Sequence, residues 1–272
     1  MQLSLPRQRF MQAVRGEDGA IDLEMAALYI AQEVYPEIDP LEYVGRLDRM
    51  AEALRPRLPE SMYPLRVLKV INEFLYGELG FRGNREQYYD PRNSFLNQVL
   101  DRRLGIPITL SLVYLGLARR LGFLMEGVSF PGHFLIRPVY EEMTVFVDAF
   151  DGGEILFEQD CQRKLGEMFG GQLPMREAFF EAAGNRHFLA RMLTNLKANY
   201  IHIEDFDRAY GAIERILILF PDAPLELRDR GLLNYRLNRW IEARQDLGRY
   251  LEVKPTAGDR SAIEAILSRM VM

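Results

Sequence analysis

Few side chains in this sequence are suited to chemistry: three histidines and a single cysteine. His133 stands in GVSFPGHFLIRPV, a strand-like run from Gly127 to Val139 broken by Pro131-Gly132. Alternation through that run places His133, Leu135 and Arg137 on one face and Phe134 and Ile136 on the other. Asp148 ends the next strand-like run, Met143 to Asp148, so pairing the two runs would bring its carboxylate alongside the imidazole. Such a couple suits general-base work, the carboxylate fixing the tautomer of an imidazole that takes a proton from a nucleophile. The same residues also suit a plainer role, with the imidazole filling a sheet edge and the Asp leading into the turn Asp151-Gly152-Gly153. His187 and His202 sit in helical text with no second ligand at metal spacing. Neither a metal nor a cofactor is therefore expected. Glu141-Glu142 reads as a solvated hairpin turn.

An apolar-periodic run precedes His133. There GIPITLSLVYLGLARRLGF carries Leu110, Val113, Tyr114, Leu117, Ala118 and Leu121 on one helical stripe. Pro107 suits the first helical position, Arg119 and Arg120 the last turn, and Gly122 the stop. Thr109 and Ser111 are the hydroxyls near its start. A hydroxyl of ordinary pKa needs a well-placed base, and helical Ser or Thr commonly bonds its own backbone. Cys161 follows Asp148 and reads as a packing residue.

The order helix, strand with His133, strand with Asp148 resembles the transglutaminase-like core, a papain-type thiol-enzyme fold. The texts YYDPRNSFLNQVLDRRLGIPITLS, PGHFLIR and VDAFDGG look like its bacterial SirB-type branch, which carries tetratricopeptide repeats behind the core. The resemblance implies that His133 and Asp148 match the family's base and its orienting carboxylate. It also implies that the nucleophile is missing: where such enzymes read Gly-x-Cys, this chain reads Gly105-Ile106-Pro107. Asn93, in the NSFL text, is expected at the cleft with Pro107.

The surrounding elements must hold these residues. Ahead of the core, helical stripes run from Leu23 to Val34, from Leu41 to Leu54 behind Asp39-Pro40-Leu41-Glu42, and from Leu65 to Leu79 before Gly80, with a short helix near Phe10 to Val14. Ser94 is expected to cap the helix that follows. Behind the core, Leu193 and Leu227, Ala209 and Ala243, Ile213 and Leu247, and Pro221 and Pro255 are each 34 residues apart. That is the tetratricopeptide period. Gly231 and Tyr200 fill the small and aromatic slots, whereas their counterparts are Lys197 and Asn234. Two degenerate repeats and a capping helix, Ser261 to Met270, are expected.

The fold class is therefore α+β: a helix-rich transglutaminase-like core with a small antiparallel sheet over 1–180, then an all-α tetratricopeptide-like domain over 181–272. A formal charge of −5, from 34 basic and 39 acidic residues, argues against a nucleic-acid protein. One cysteine forms no internal disulfide, and no apolar run is long enough to cross a bilayer. These features point to the cytoplasm and away from a membrane. The reading is of a nucleophile-lacking protein that binds a protein or peptide through its repeats and cleft. The alternative is a hydrolase or acyl transferase using Ser111 or Thr109 with His133 and Asp148.

Overall fold

The computed structural model describes residues 4–270. The chain divides into two compact units, Met1–Met192 and Leu193–Met272. The division falls downstream of residue 180, inside the helix Asn185–His202.

The first unit is mainly helical. Its leading helices are α1 (Leu5–Ala13), α2 (Leu23–Gln32), α3 (Pro40–Leu54) and α4 (Pro64–Asn72), and α4 runs on as a π-helical turn, Glu73–Glu78. The start of α3 follows the sequence signal: the Asp39 side chain accepts from the Leu41 amide at 3.0 Å and Pro40 occupies the first turn. Helix α1 begins earlier than its apolar spacing suggested, because the Ser4 hydroxyl caps the Arg7 amide and Pro6 fits the first turn.

Strands β1 (Arg82–Gly83) and β2 (Leu104–Gly105) form a short parallel pair, with Gly83 opposite Gly105. Between them lies α5 (Leu96–Arg102), which ends with Arg103 at φ 58°. Ser94 does not cap this helix. Phe95 holds the capping position and the Ser94 hydroxyl is buried without a hydrogen-bond partner, since a 3-10 turn at Pro91–Ser94 precedes the helix.

Helix α6 (Pro107–Arg120) lies in the core, with Leu110, Val113, Tyr114 and Leu117 each at most 2% exposed. Burying one such leucine contributes about 1.5–3 kcal/mol. Gly122 stops it with φ +76°. Four antiparallel strands follow in the order β3 (Met125–Val128), β4 (Leu135–Pro138), β5 (Phe146–Asp148), β6 (Glu154–Leu156). Helix α7 (Glu158–Phe169) packs Cys161 and Leu165 into a cluster with Val128, Phe130 and Phe146.

The second unit takes up the end of α8 (Asn185–His202), then α9 (Phe206–Leu219), α10 (Pro224–Arg236), α11 (Trp240–Val253) and α12 (Arg260–Arg269). Ala209, Ala243, Ile213 and Leu247, which repeat at 34 residues, are all 0% exposed. Their small or apolar side chains let the paired helices approach. At Gly231 an added Cβ would lie 2.7 Å from Leu247. Its counterpart Lys197 is accommodated differently, its ammonium bonded to Glu226 at 2.7 Å and Asp229 at 3.0 Å. Among the described residues, no helix is long and apolar enough to cross a membrane.

Candidate functional site

His133 does not lie within a strand. It sits in the turn after Pro131-Gly132, two residues before β4, because Gly132 at φ +70° and the His133 amide bonded to the Phe130 carbonyl at 3.1 Å extend the turn. Arg191 of α8 holds that turn, donating to the His133 carbonyl at 2.8 Å and to the Ser129 hydroxyl at 3.0 Å. Asp148 closes β5 and is 0% exposed. The imidazole Nε2 and the Asp148 Oδ1 are 2.8 Å apart. Among the described residues, nothing hydrogen-bonds the other ring nitrogen, Nδ1, the atom a base would use.

Asp148 is heavily committed. Its Oδ1 also accepts from the amides of Phe150 (3.0 Å) and Asp151 (3.2 Å), while Oδ2 accepts from the Lys164 ammonium at 3.0 Å. Burial works against its charge, but His133 and Lys164 outweigh burial and hold the carboxyl below the ordinary range. Lys164, on α7, also reaches Asp151 at 3.0 Å and Glu154 at 2.7 Å. Asp148, Asp151 and Glu154 have the spacing to hold a metal ion, but the ammonium already lies against all three carboxylates. Sequence reading missed Lys164, since nothing in its local text ties it to the acids at 148, 151 and 154.

The proposed nucleophile positions differ from this cluster. Pro107 occupies the first turn of α6 and is buried. The Thr109 hydroxyl donates to the Asn93 carbonyl at 2.7 Å and accepts from the Ile106 amide at 3.1 Å, so it caps the helix. The Ser111 hydroxyl is buried with no hydrogen-bond partner. Neither hydroxyl bonds His133.

A cavity of about 310 Å³ opens around His133 and Asp148, lined also by Arg85, Phe150, Cys161, Lys164 and Met168. Asn93, Pro107, Thr109 and Ser111 are not among its lining residues. The expected cleft role of Asn93 is therefore corrected to a supporting one. Its amide is consumed by the carbonyls of Gln87 (2.7 Å) and Tyr88 (3.2 Å) and by the Asn84 amide (3.0 Å), which fixes the 84–93 loop.

Phe150 was not foreseen. Its ring meets His133 edge-on with centroids 6.1 Å apart and meets Tyr88 at 5.8 Å. An added Cβ at Gly83 would lie 2.6 Å from that ring. Gly83 pairs with Gly105, two residues ahead of Pro107, so Phe150 packs against both the imidazole and the strand pair leading into α6. Cys161 also lines the cavity, but burial, with Asp160 adding, pushes its thiol up to about 12. That keeps it a thiol and a poor nucleophile.

Comparison with known proteins agrees with this architecture. A model of the transglutaminase-like superfamily matches residues 41–194 and a tetratricopeptide-repeat model matches residues 196–268. A UPF0162 protein of Xylella fastidiosa is 39% identical over 94% of this chain and 91% of its own length. One from Vibrio cholerae is 30% identical over 87% of each chain. F-box only protein 21 of mouse is 35% identical over 65% of this chain but only 29% of its own length. No solved structure matches. With its buried helix leading to an antiparallel sheet, its His133–Asp148 pair and its 34-residue repeats, the chain belongs to the transglutaminase-like superfamily, in the bacterial UPF0162 group that carries tetratricopeptide repeats behind the core.

Proposed function

We propose that this is a non-catalytic, cytoplasmic member of its family that binds a protein or peptide through its repeat unit and the His133 cleft. The observation that carries the reading is the mismatch at α6. The imidazole–carboxylate pair is at 2.8 Å, while the helix start matched to the family's thiol holds Pro107, which has neither a nucleophile nor an amide hydrogen for an oxyanion. Commitment of the Thr109 hydroxyl to capping and the Phe150 ring beside His133 support it. Repeat helices of the tetratricopeptide kind present surfaces that serve protein association.

A second reading keeps the alternative open. A buried Asp148 below the ordinary carboxylate range, with His133 Nδ1 unbonded, is what a hydrolase or acyl transferase would retain, using Ser111 or Thr109. Intact-mass measurement after exposure to broad acylating probes separates the two. The binding-module reading expects no adduct that disappears in His133→Ala. A His133-dependent adduct on either hydroxyl overturns it.

A further inference from the structure

The turn that follows Asp148 has little stiffness of its own. Gly152 and Gly153 hold φ of +65° and +76°, and two glycines in succession give the backbone wide freedom. Yet this turn aims the carboxylate. The amides of Phe150 and Asp151 that fix Oδ1 belong to it, and the Gly153 amide closes it on the Asp148 carbonyl at 2.9 Å.

A side chain from outside the turn holds it. Asn72, the last residue of α4, donates from Nδ2 to the Gly153 carbonyl at 2.7 Å. Gly153 is buried so closely against it that an added Cβ would lie 2.5 Å from the Asn72 Cγ. The orientation of that amide is itself determined. A carbonyl only accepts, so the amide nitrogen faces Gly153, and Oδ1 accepts from the Tyr114 hydroxyl at 3.0 Å. Tyr114 is 0% exposed on α6, so the tie is anchored in the core.

The helix around Asn72 adds an independent observation. Immediately after Asn72 it widens into the π-helical turn Glu73–Glu78, and such turns are rare and recur at functional sites. Tyr76, within that turn, has its phenol pushed up by burial and then by the Asp148 charge, which sets the turn close to the carboxylate.

We propose that Asn72 is a positioning residue for the His133–Asp148 pair. By fixing the Gly153 carbonyl it sets the turn whose amides aim the Asp148 carboxylate at the imidazole, and Tyr114 in turn sets Asn72. Alignment of the pair therefore depends on one side chain from α4 and one from α6. The assignment rests on reading the cleft around the pair as the working site, and it requires no catalysis there.

Nitrogen NMR of the imidazole in the full chain tests this, the His133 signal being the one lost in His133→Ala. An ionised carboxylate only accepts, so the wild-type ring should carry its proton on Nε2 and exchange it slowly. Asn72→Ala should speed that exchange roughly fivefold to tenfold and mix the two tautomers. Tyr114→Phe keeps the buried ring and should speed it roughly twofold to threefold. Asp39→Ala removes the α3 cap in the same unit and should leave the signal unchanged, which separates lost aim from lost stability. Wild-type behaviour in both Asn72→Ala and Tyr114→Phe, or equal loosening in Asp39→Ala, would overturn the assignment. A wild-type ring with no fixed Nε2 proton would instead remove the pair, and the positioning role with it.

Discussion

Each unit places a lysine among carboxylates, and the two clusters do different work. In the repeats, Lys197 is 9% exposed and its ammonium pairs with both Glu226 and Asp229 where the other copy has Gly231. The cluster compensates for a departure from the repeat pattern, and Asp229 links it to Arg228 at 2.9 Å. In the front unit, the Lys164 ammonium is shared among Asp148, Asp151 and Glu154, and the first of these also holds the His133 imidazole. The same electrostatics therefore fixes a helix pair in one unit and an imidazole in the other. A charged cluster becomes a site through what else its carboxylates hold.

Variants sharpen that contrast. The largest effect is expected for Lys197→Met, which leaves Glu226, 7% exposed, without its cation and should cost about 3–4 kcal/mol in denaturant unfolding. Adding Glu226→Gln should recover much of the loss, because the unpaired buried charge is then gone.

Asp148→Asn should cost about 2–3 kcal/mol near neutral pH, since its bonds to His133 and Lys164 lose their charge. The carboxyl is held low in the folded state, so its contribution is complete above the unfolded value of about 3.9 and is lost as pH falls through the folded one. Below pH of about 4 the difference between wild type and Asp148→Asn should therefore shrink. A constant difference across that window would remove Asp148 as the linked group.

Smaller effects probe α6. Thr109→Val removes the cap on the Ile106 amide and should cost about 1–2 kcal/mol. Ser111→Ala should change stability by less than about 0.5 kcal/mol, because the hydroxyl is buried with no partner to lose. A larger change at Ser111 would mean that its hydroxyl bonds something in solution.

Much of the frame was legible in the sequence. Asp39-Pro40, Pro107 and Gly122 act locally, through one cap, one fixed φ and one positive φ, so their text alone places helix ends. The 34-residue spacing was equally direct, because Ala209 and Ala243 are small for the same reason. What the sequence hid depended on distant partners. Ser94 resembled a cap, yet the preceding turn passed that position to Phe95. His133 looked like strand, but Gly132 and the Arg191 bonds keep it in a turn. Asp148 reads as the imidazole's partner and Asp151 as a turn residue, but only folding brings Lys164 against both and against Glu154. Phe150 carries no pattern of its own, and only the bare backbone of Gly83 admits its ring.

The most direct measurement is the alkylation rate of Pro107→Cys by iodoacetamide, followed by intact mass, with His133→Ala in the same background. The native Cys161, whose thiol is pushed up to about 12, should react slowly and set the baseline. If the base and its carboxylate persist beside a vacant nucleophile position, the introduced thiol reacts faster than an ordinary one and loses that advantage with His133. Ordinary reactivity of the introduced thiol, indifferent to the imidazole, would contradict the account.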